Sequence, residues 1–288
     1  MSKKFQARLL LKSPVGLLGL VLVLVVVSIA FIAPVLAPHN PDETNLRARL
    51  LPPAWEASRG DARDWLGTDQ LGRDVLSRLM FGSRTSLVVG VLSVCISMVT
   101  GVALGLISGY YGGSIDYIVS RSADMFMSVP FIVLAISVMG VLGAQGGGET
   151  VLILVIGLAN WVTFNRVVRG EVLTVKTMEY VDAARCQGQS APRIIMRHIL
   201  PNVTASIIVL ATLQVSSAIL AESSLSFLGL GVQPPSVTWG TMLSEGRDHL
   251  ATSWWLSTFP GLSIALTTLG IVLLGDWLRD VLDPALQH

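Results

Sequence analysis

An all-α integral membrane protein with six transmembrane helices, both termini cytoplasmic, is the fold class this sequence predicts. Three observations predict it. The chain is 52% hydrophobic and only 14% charged, with a mean hydropathy of +0.65, whereas soluble domains carry about 25% charged residues. Its apolar runs approach the roughly 20 residues needed to cross the hydrocarbon. Its basic residues also fall mainly on alternate sides of those runs. A barrel would need many short alternating strands, and the sequence has none, so helices are the structure left to satisfy the backbone in lipid.

The first run, 15–36, follows Lys3, Lys4, Arg8 and Lys12. It is too long for a signal-peptide core and lacks a clean A-x-A-like site, so it is read as a retained span. Further runs cover 87–107, 115–142, 151–168, 203–220 (or on to 230) and 254–274. The third is weak at its start, where Asp116, Arg121 and Asp124 stand. Arg166, Arg169, Lys176, Arg185, Arg193 and Arg197 lie between the fourth span and the fifth. That connection is therefore cytoplasmic, like the N-terminus. Segment 37–84 carries seven arginines balanced by seven acids. It is placed outside, since long loops obey the charge rule poorly. The organisation is thus a cytoplasmic N-terminus (1–14), a first span (15–36), an extracytoplasmic segment with an amphipathic helix (37–86), and a five-helix core (87–288) with a cytoplasmic loop at about 171–201.

That loop contains EYVDAARCQGQSAPRIIMRHILPN, residues 179–202. Met178 to Cys186 has a helix-forming composition, with Asp182 and Arg185 spaced i,i+3. Gly188 suits the left-handed geometry that ends a helix. Ser190 suits the cap of a second helix, with Pro192 tolerated in its first turn and a stop near Pro201. Read physically, this is either an interfacial connection or a short rigid lever mounted on two spans.

The residues Asp182-Ala183-Ala184, Gly188 and Ile199-Leu200-Pro201 resemble the EAA loop of ABC importer permeases, with Asp182 in place of the usual Glu and His198 where an apolar residue is frequent. In that family the loop is the coupling helix that docks on an ATPase. The resemblance implies a type I ABC importer permease fold. It assigns Tyr180, Asp182, Ala183, Ala184, Arg185, Gly188, Ser190 and Pro201 to the ATPase-coupling loop. Segments 65–87 (WLGTDQLGRDVLSRLMFGSRTSL), 228–243 (LGLGVQPPSVTWGTML) and 275–286 (GDWLRDVLDPAL) are similar to the C-type dipeptide, oligopeptide and nickel permeases. By resemblance, the partners are a second permease in a heterodimer, two ATPase subunits that bind ATP with Mg, an extracytoplasmic solute-binding protein and membrane lipid. The expected location is the inner membrane of a bacterium or archaeon. Substrates in this branch include peptides, nickel, glutathione, opines and some sugars, with di- or oligopeptides expected here.

Several residues carry expectations of their own. Leu71, Val75, Leu76, Leu79 and Met80 fall at helical spacing, so an amphipathic helix is expected along the outer membrane face. Asp69, Arg73, Asp74 and Arg78 would form solvated pairs on its wet side. Ser93, Ser97, Gly101, Gly105 and Gly109 make one small-residue face for close helix approach, the partner being another span or a second subunit. Gln214, Ser217 and Glu222 are too polar to face lipid and are assigned to a translocation path. For Glu222 the alternative is a buried structural acid. Asp124 and Asp276 are expected to pair with arginines such as Arg121 or Arg279. Pro234 and Pro235 end the fifth span, and Trp254 and Trp255 belong at the outer interface.

Other functions are weighed against this reading. Cys95 and Cys186 are read as unpaired thiols, no histidine lies within a span, and no metal site is expected. There is no nucleic-acid footprint. There is no H-E-x-x-H, no G-x-S-x-G and no phosphate loop, because Lys176-Thr177 lacks the preceding glycine. No catalysis and no cofactor are therefore expected in this chain itself. A stand-alone secondary transporter or channel is the alternative, although no repeat links the two halves as such carriers commonly show.

Overall fold

The computed structural model describes residues 13–56, 64–142 and 148–282. Among them, five helices are long and apolar enough to cross a membrane, and a bent pair makes a sixth candidate span when its two halves are taken together.

Helix α1 (Pro14–Leu36) starts where Ser13 Oγ accepts the Gly16 N–H at 3.2 Å, a side-chain cap with proline in the first turn. Helix α2 (Val75–Tyr111) runs for 37 residues, or about 55 Å at 1.5 Å per residue. It outreaches the hydrocarbon, so its N-terminal turns stand clear of the span. This corrects the expected separate amphipathic helix: residues 75–86 are the beginning of α2. Nothing breaks the helix there, because Gly82 packs under Trp239 without leaving helical geometry.

The run expected as the third span forms α3 (Gly113–Ser128) and α4 (Phe131–Leu142), bent by 83°. A straight run over 115–142 was expected. Pro130 lacks an N–H and forces its predecessor out of helical geometry, and Val129 is extended at φ −99°, ψ 124°. The fourth span joins α5 (Gly148–Ala159) to α6 (Trp161–Val175) across Asn160. After the loop helix α7 (Glu179–Cys186), a short helix α8 (Ala191–Ile194) leads through a π-helical turn, Ile195–Ile199, into α9 (Leu200–Phe227). Pro201 therefore does not stop the helix as expected. It stands in the first turn of α9, and the wider π-helical turn before it makes room for the ring. The loop proper shrinks from about 171–201 to 176–190.

The short helix α10 (Trp239–Gly246) begins with a capping box between Thr238 and Thr241. It leads to α11 (Trp255–Leu282). The small-residue face of α2 meets α5 and α6 of the same chain, which resolves its two expected partners in favour of another span. Ser97 Oγ donates to the Gly157 carbonyl at 2.7 Å and Ser93 Oγ to that of Ile153 at 3.2 Å. A Cβ on Gly105 would lie 2.9 Å from the Asn165 carbonyl oxygen, closer than real side chains allow. Close backbone approach and hydroxyl bonds substitute for a hydrophobic drive that lipid does not supply.

Candidate coupling surface

At one end of the bundle, α6 leaves through Lys176 and the chain turns into α7. Lys176 Nζ donates to the Gly109 carbonyl at 2.7 Å, closing an orphan acceptor at the C-terminus of α2, where a cation is favoured. The end of α7 is a Schellman corner. The Gln189 N–H reaches the Ala184 carbonyl at 3.2 Å, and the Gly188 N–H reaches that of Arg185 at 2.9 Å. Gly188 sits at φ +75°, as its place in the sequence predicts. A side chain there would meet open space, so the requirement for glycine comes from the backbone alone.

The hairpin stands on an apolar foot. Val181, Ala184, Ile194, Ile195 and Ile199 are buried against Val168, Val172 and Val203. Burying each larger aliphatic is worth about 1.5–3 kcal/mol. The Asp182–Arg185 pair at 2.9 Å is exposed and worth about 0–1 kcal/mol. Packing therefore fixes the hairpin, and the charged side chains lie on its exposed side. Arg185 also lies over the Tyr110 ring, 5.4 Å from its centroid.

The assigned loop residues separate into two sets. Tyr180, Asp182, Ala183, Arg185, Gly188 and Ser190 are exposed, whereas Ala184 faces the foot. Ser190 stands at the cap position of α8 but makes no side-chain capping bond. His198 replaces an apolar residue because its Nε2 meets Gln189 Oε1 at 3.0 Å, tying the corner to the π-helical turn. Tyr110, Lys176 and Gln189 were missed as anchors. Only Lys176, at the end of an apolar run, carries a local signal.

At the same end, Asp116 pairs with Arg169, with 2.7 Å between Oδ2 and Nη2. Asp124 pairs with Arg166 at 2.9 Å, so the expected pairing of Asp124 with Arg121 is corrected. Asp276 is exposed, without an ion pair among the described residues.

The three residues assigned to a path are not brought together. Ser217 is exposed on α9 and Gln214 is half-buried. Glu222 is fully buried within the chain. Its Oε1 accepts from Ser226 Oγ at 2.6 Å, and its Oε2 accepts from Ser223 Oγ at 3.3 Å and Ser86 Oγ at 3.4 Å. This burial within the chain is what the structural reading of Glu222 expects. The Glu222 carboxylate joins α9 to α2 through hydroxyls.

The opposite end also departs from expectation. Asp69, Asp74 and Arg78 are each 4% exposed, so they are not solvated pairs. Asp69 Oδ2 takes the Arg73 Nε–H at 2.6 Å and is also bonded by Arg78. Both arginines reach Glu245 of α10, Arg73 at 2.9 Å and Arg78 at 2.6 Å. Burial alone would raise the Asp69 carboxyl. The charges of Arg78 and Arg73, with backbone N–H groups of Arg73 and Leu71, hold it below the usual carboxylate range. Trp255 is likewise buried, its Nε1 donating to the Thr68 carbonyl at 3.2 Å. Trp254 remains partly exposed, with its indole bonded to Glu56 at 3.1 Å.

Comparison with known proteins bears on both ends. Residues 101–288 match the family described as binding-protein-dependent transport system inner membrane component. Residues 6–53 match the N-terminal TM domain of oligopeptide transport permease C. The di/tripeptide transport system permease protein DppC of Pseudomonas aeruginosa is 42% identical, over 94% of this chain and 88% of that protein. The dipeptide transport system permease protein DppC of Haemophilus influenzae is 41% identical, over 95% and 91%. That of Bacillus subtilis is 40% identical, over 98% and 85%. Among solved structures, an inward-facing MetNI methionine ABC transporter chain aligns with a TM-score of 0.55 and 20% identity, over 71% of this chain and 96% of that one. That likeness bears on the fold alone. With the described spans, these matches make the chain a multi-pass inner-membrane permease subunit that belongs to the family of binding-protein-dependent transport system inner membrane components.

Proposed function

We propose that this chain forms the translocation path of an ATP-driven importer of di- or oligopeptides together with a second, different permease. The peptide class is supported by the names of relatives about 40% identical over nearly the whole chain. Two ATPase subunits, which bind ATP with Mg, dock on the 176–190 hairpins, and an extracytoplasmic solute-binding protein delivers the substrate. The observation that carries the coupling reading is the hairpin itself. Its foot is buried, its corner is held by a Schellman motif, and Tyr180, Asp182 and Arg185 are exposed. Closure of the ATPase pair would push α7, and the foot would pass that push to α6 and α9. What shifts the equilibrium is the difference in ATPase affinity between the two permease states. Gln214 and Ser217 on α9 are the path residues that remain compatible with this reading.

The test is a pull-down of the full-length chain in mild detergent, native against an Asp182→Lys, Gly188→Val double variant. We expect the native chain to retain an ATPase and a second permease, and the variant to lose the ATPase while keeping the permease. A folded native chain that carries no ATPase, under conditions that preserve related complexes, would favour a stand-alone transporter.

A further inference from the structure

The segment between α1 and α2 returns to the end of the bundle where Asp69 and Glu245 lie. His39 stands three residues beyond the end of α1, and its backbone N–H donates to Ser77 Oγ at 3.0 Å. Asp74 is the N-cap of α2. One carboxylate oxygen, Oδ2, takes the Ser77 N–H at 2.8 Å and the Ser77 hydroxyl at 2.6 Å. The other oxygen, Oδ1, is buried and has no hydrogen-bond partner; His39 Nδ1 is buried and has none either, and stands 3.8 Å from Asp74 Oδ2. Buried polar atoms are ordinarily satisfied, so the unpartnered Asp74 Oδ1, with an imidazole nitrogen too far away to hydrogen-bond, leaves room for a ligand. Asp64 completes the group: one ligand-type atom from each of His39, Asp64 and Asp74 lies within 4.8 Å of the others.

We propose that His39, Asp64 and Asp74 hold a divalent transition-metal ion of the zinc or manganese class. The donor set is one imidazole nitrogen and two carboxylate oxygens. Imidazole suits transition metals, and carboxylate tolerates harder ions such as manganese. A tetrahedral ion with bonds of about 2.1 Å holds its ligands about 3.4 Å apart. The group therefore closes on the ion by at most about 1.4 Å, a movement available to side chains on a connecting segment. The Asp74 side chain is 2% exposed and that of His39 is 37% exposed, so the carboxylate forms the floor of the site and the imidazole its mouth. An ion there ties the end of α1, the connecting segment and the first turn of α2 together. The expectation of no metal site rested on the spans and the cysteines, whereas this group lies outside both.

The test uses the full-length chain without an affinity tag in lipid nanodiscs, stripped with EDTA and returned to pH 7.5. Zn2+ and then Mn2+ are added, with the melting temperature and bound metal both read. We expect a saturable rise in melting temperature at one tightly held ion per chain, since an ion that binds only the folded state stabilises it. His39→Ala should bind that ion roughly tenfold more weakly or worse and lose the rise. Asp74→Asn should lose it too while keeping an N-cap acceptor, and hence its fold. Two results would each overturn the proposal: no metal-dependent rise in the native chain, or one of equal size in His39→Ala.

Discussion

The two ends of this protein both carry paired charges, but they use them differently. At the outer end, Asp69, Arg73, Arg78 and Glu245 form one network, with Asp69 and Arg78 buried. It joins the connecting segment, α2 and α10. At the coupling end, Asp182–Arg185 and Asp124–Arg166 are exposed, and an apolar foot fixes the geometry. The difference teaches that burial and connectivity, more than the presence of a pair, decide what charge contributes. The outer network is a fastening. The exposed pairs fasten little.

The sharpest way to break this contrast is to remove one member from each end. Arg78→Ala leaves Asp69 and Glu245 with only Arg73, and loss of one partner from a buried network costs about 3–5 kcal/mol. We expect a large drop in the thermal melting temperature of the full chain in nanodiscs. A change no larger than that of an exposed pair would remove the contrast.

Acidification probes the same network more gently, through one carboxylate. Asp69 titrates below its usual value of 3.8 when folded, so the unfolded chain binds the proton first as pH falls. Its contribution is therefore complete above the unfolded value and lost as pH falls toward the folded one. Melting temperatures measured from pH 7 to pH 3 should show an acid-limb slope that is reduced in Asp69→Asn.

At the coupling end the expected stability effects are smaller. Gly188→Val forces a branched residue into left-handed geometry, at a cost of about 1–2 kcal/mol confined to the corner. Transport in proteoliposomes should fall far more than stability. Gly188→Asn, which tolerates that geometry, should recover much of it. Normal ATP-driven uptake by a folded valine variant would refute the lever reading.

Smallest of all is Asp182→Asn. The exposed pair it removes is worth about 0–1 kcal/mol, so the melting temperature should stay nearly unchanged. ATPase retention in a pull-down should weaken. If stability fell as far as in Arg78→Ala, the two ends would not differ in the way proposed.

Much of this was legible along the chain. Apolar runs mark the spans, Gly188 marks the corner, and the small-residue face on α2 marks a close contact. The bend at Pro130 also had a local signal, since proline excludes helical geometry at Val129, but the apolar run concealed it. Glu222 was harder. From the sequence, a path residue and a buried structural acid were equally open for it, because nothing local shows Ser86 of another helix beside Ser226 of its own around the carboxylate.

What the sequence by itself determined, then, is the local and the periodic: membrane class, spans, caps and the glycine corner. These follow from backbone geometry and hydropathy over a few residues. Only the tertiary structure decided that Arg78 meets Glu245, that the α2 small-residue face meets α6, and that His39 lies beside Asp74. Each joins elements distant in the chain. Local spacing carries no record of such neighbours, because they are chosen by which whole surfaces pack together.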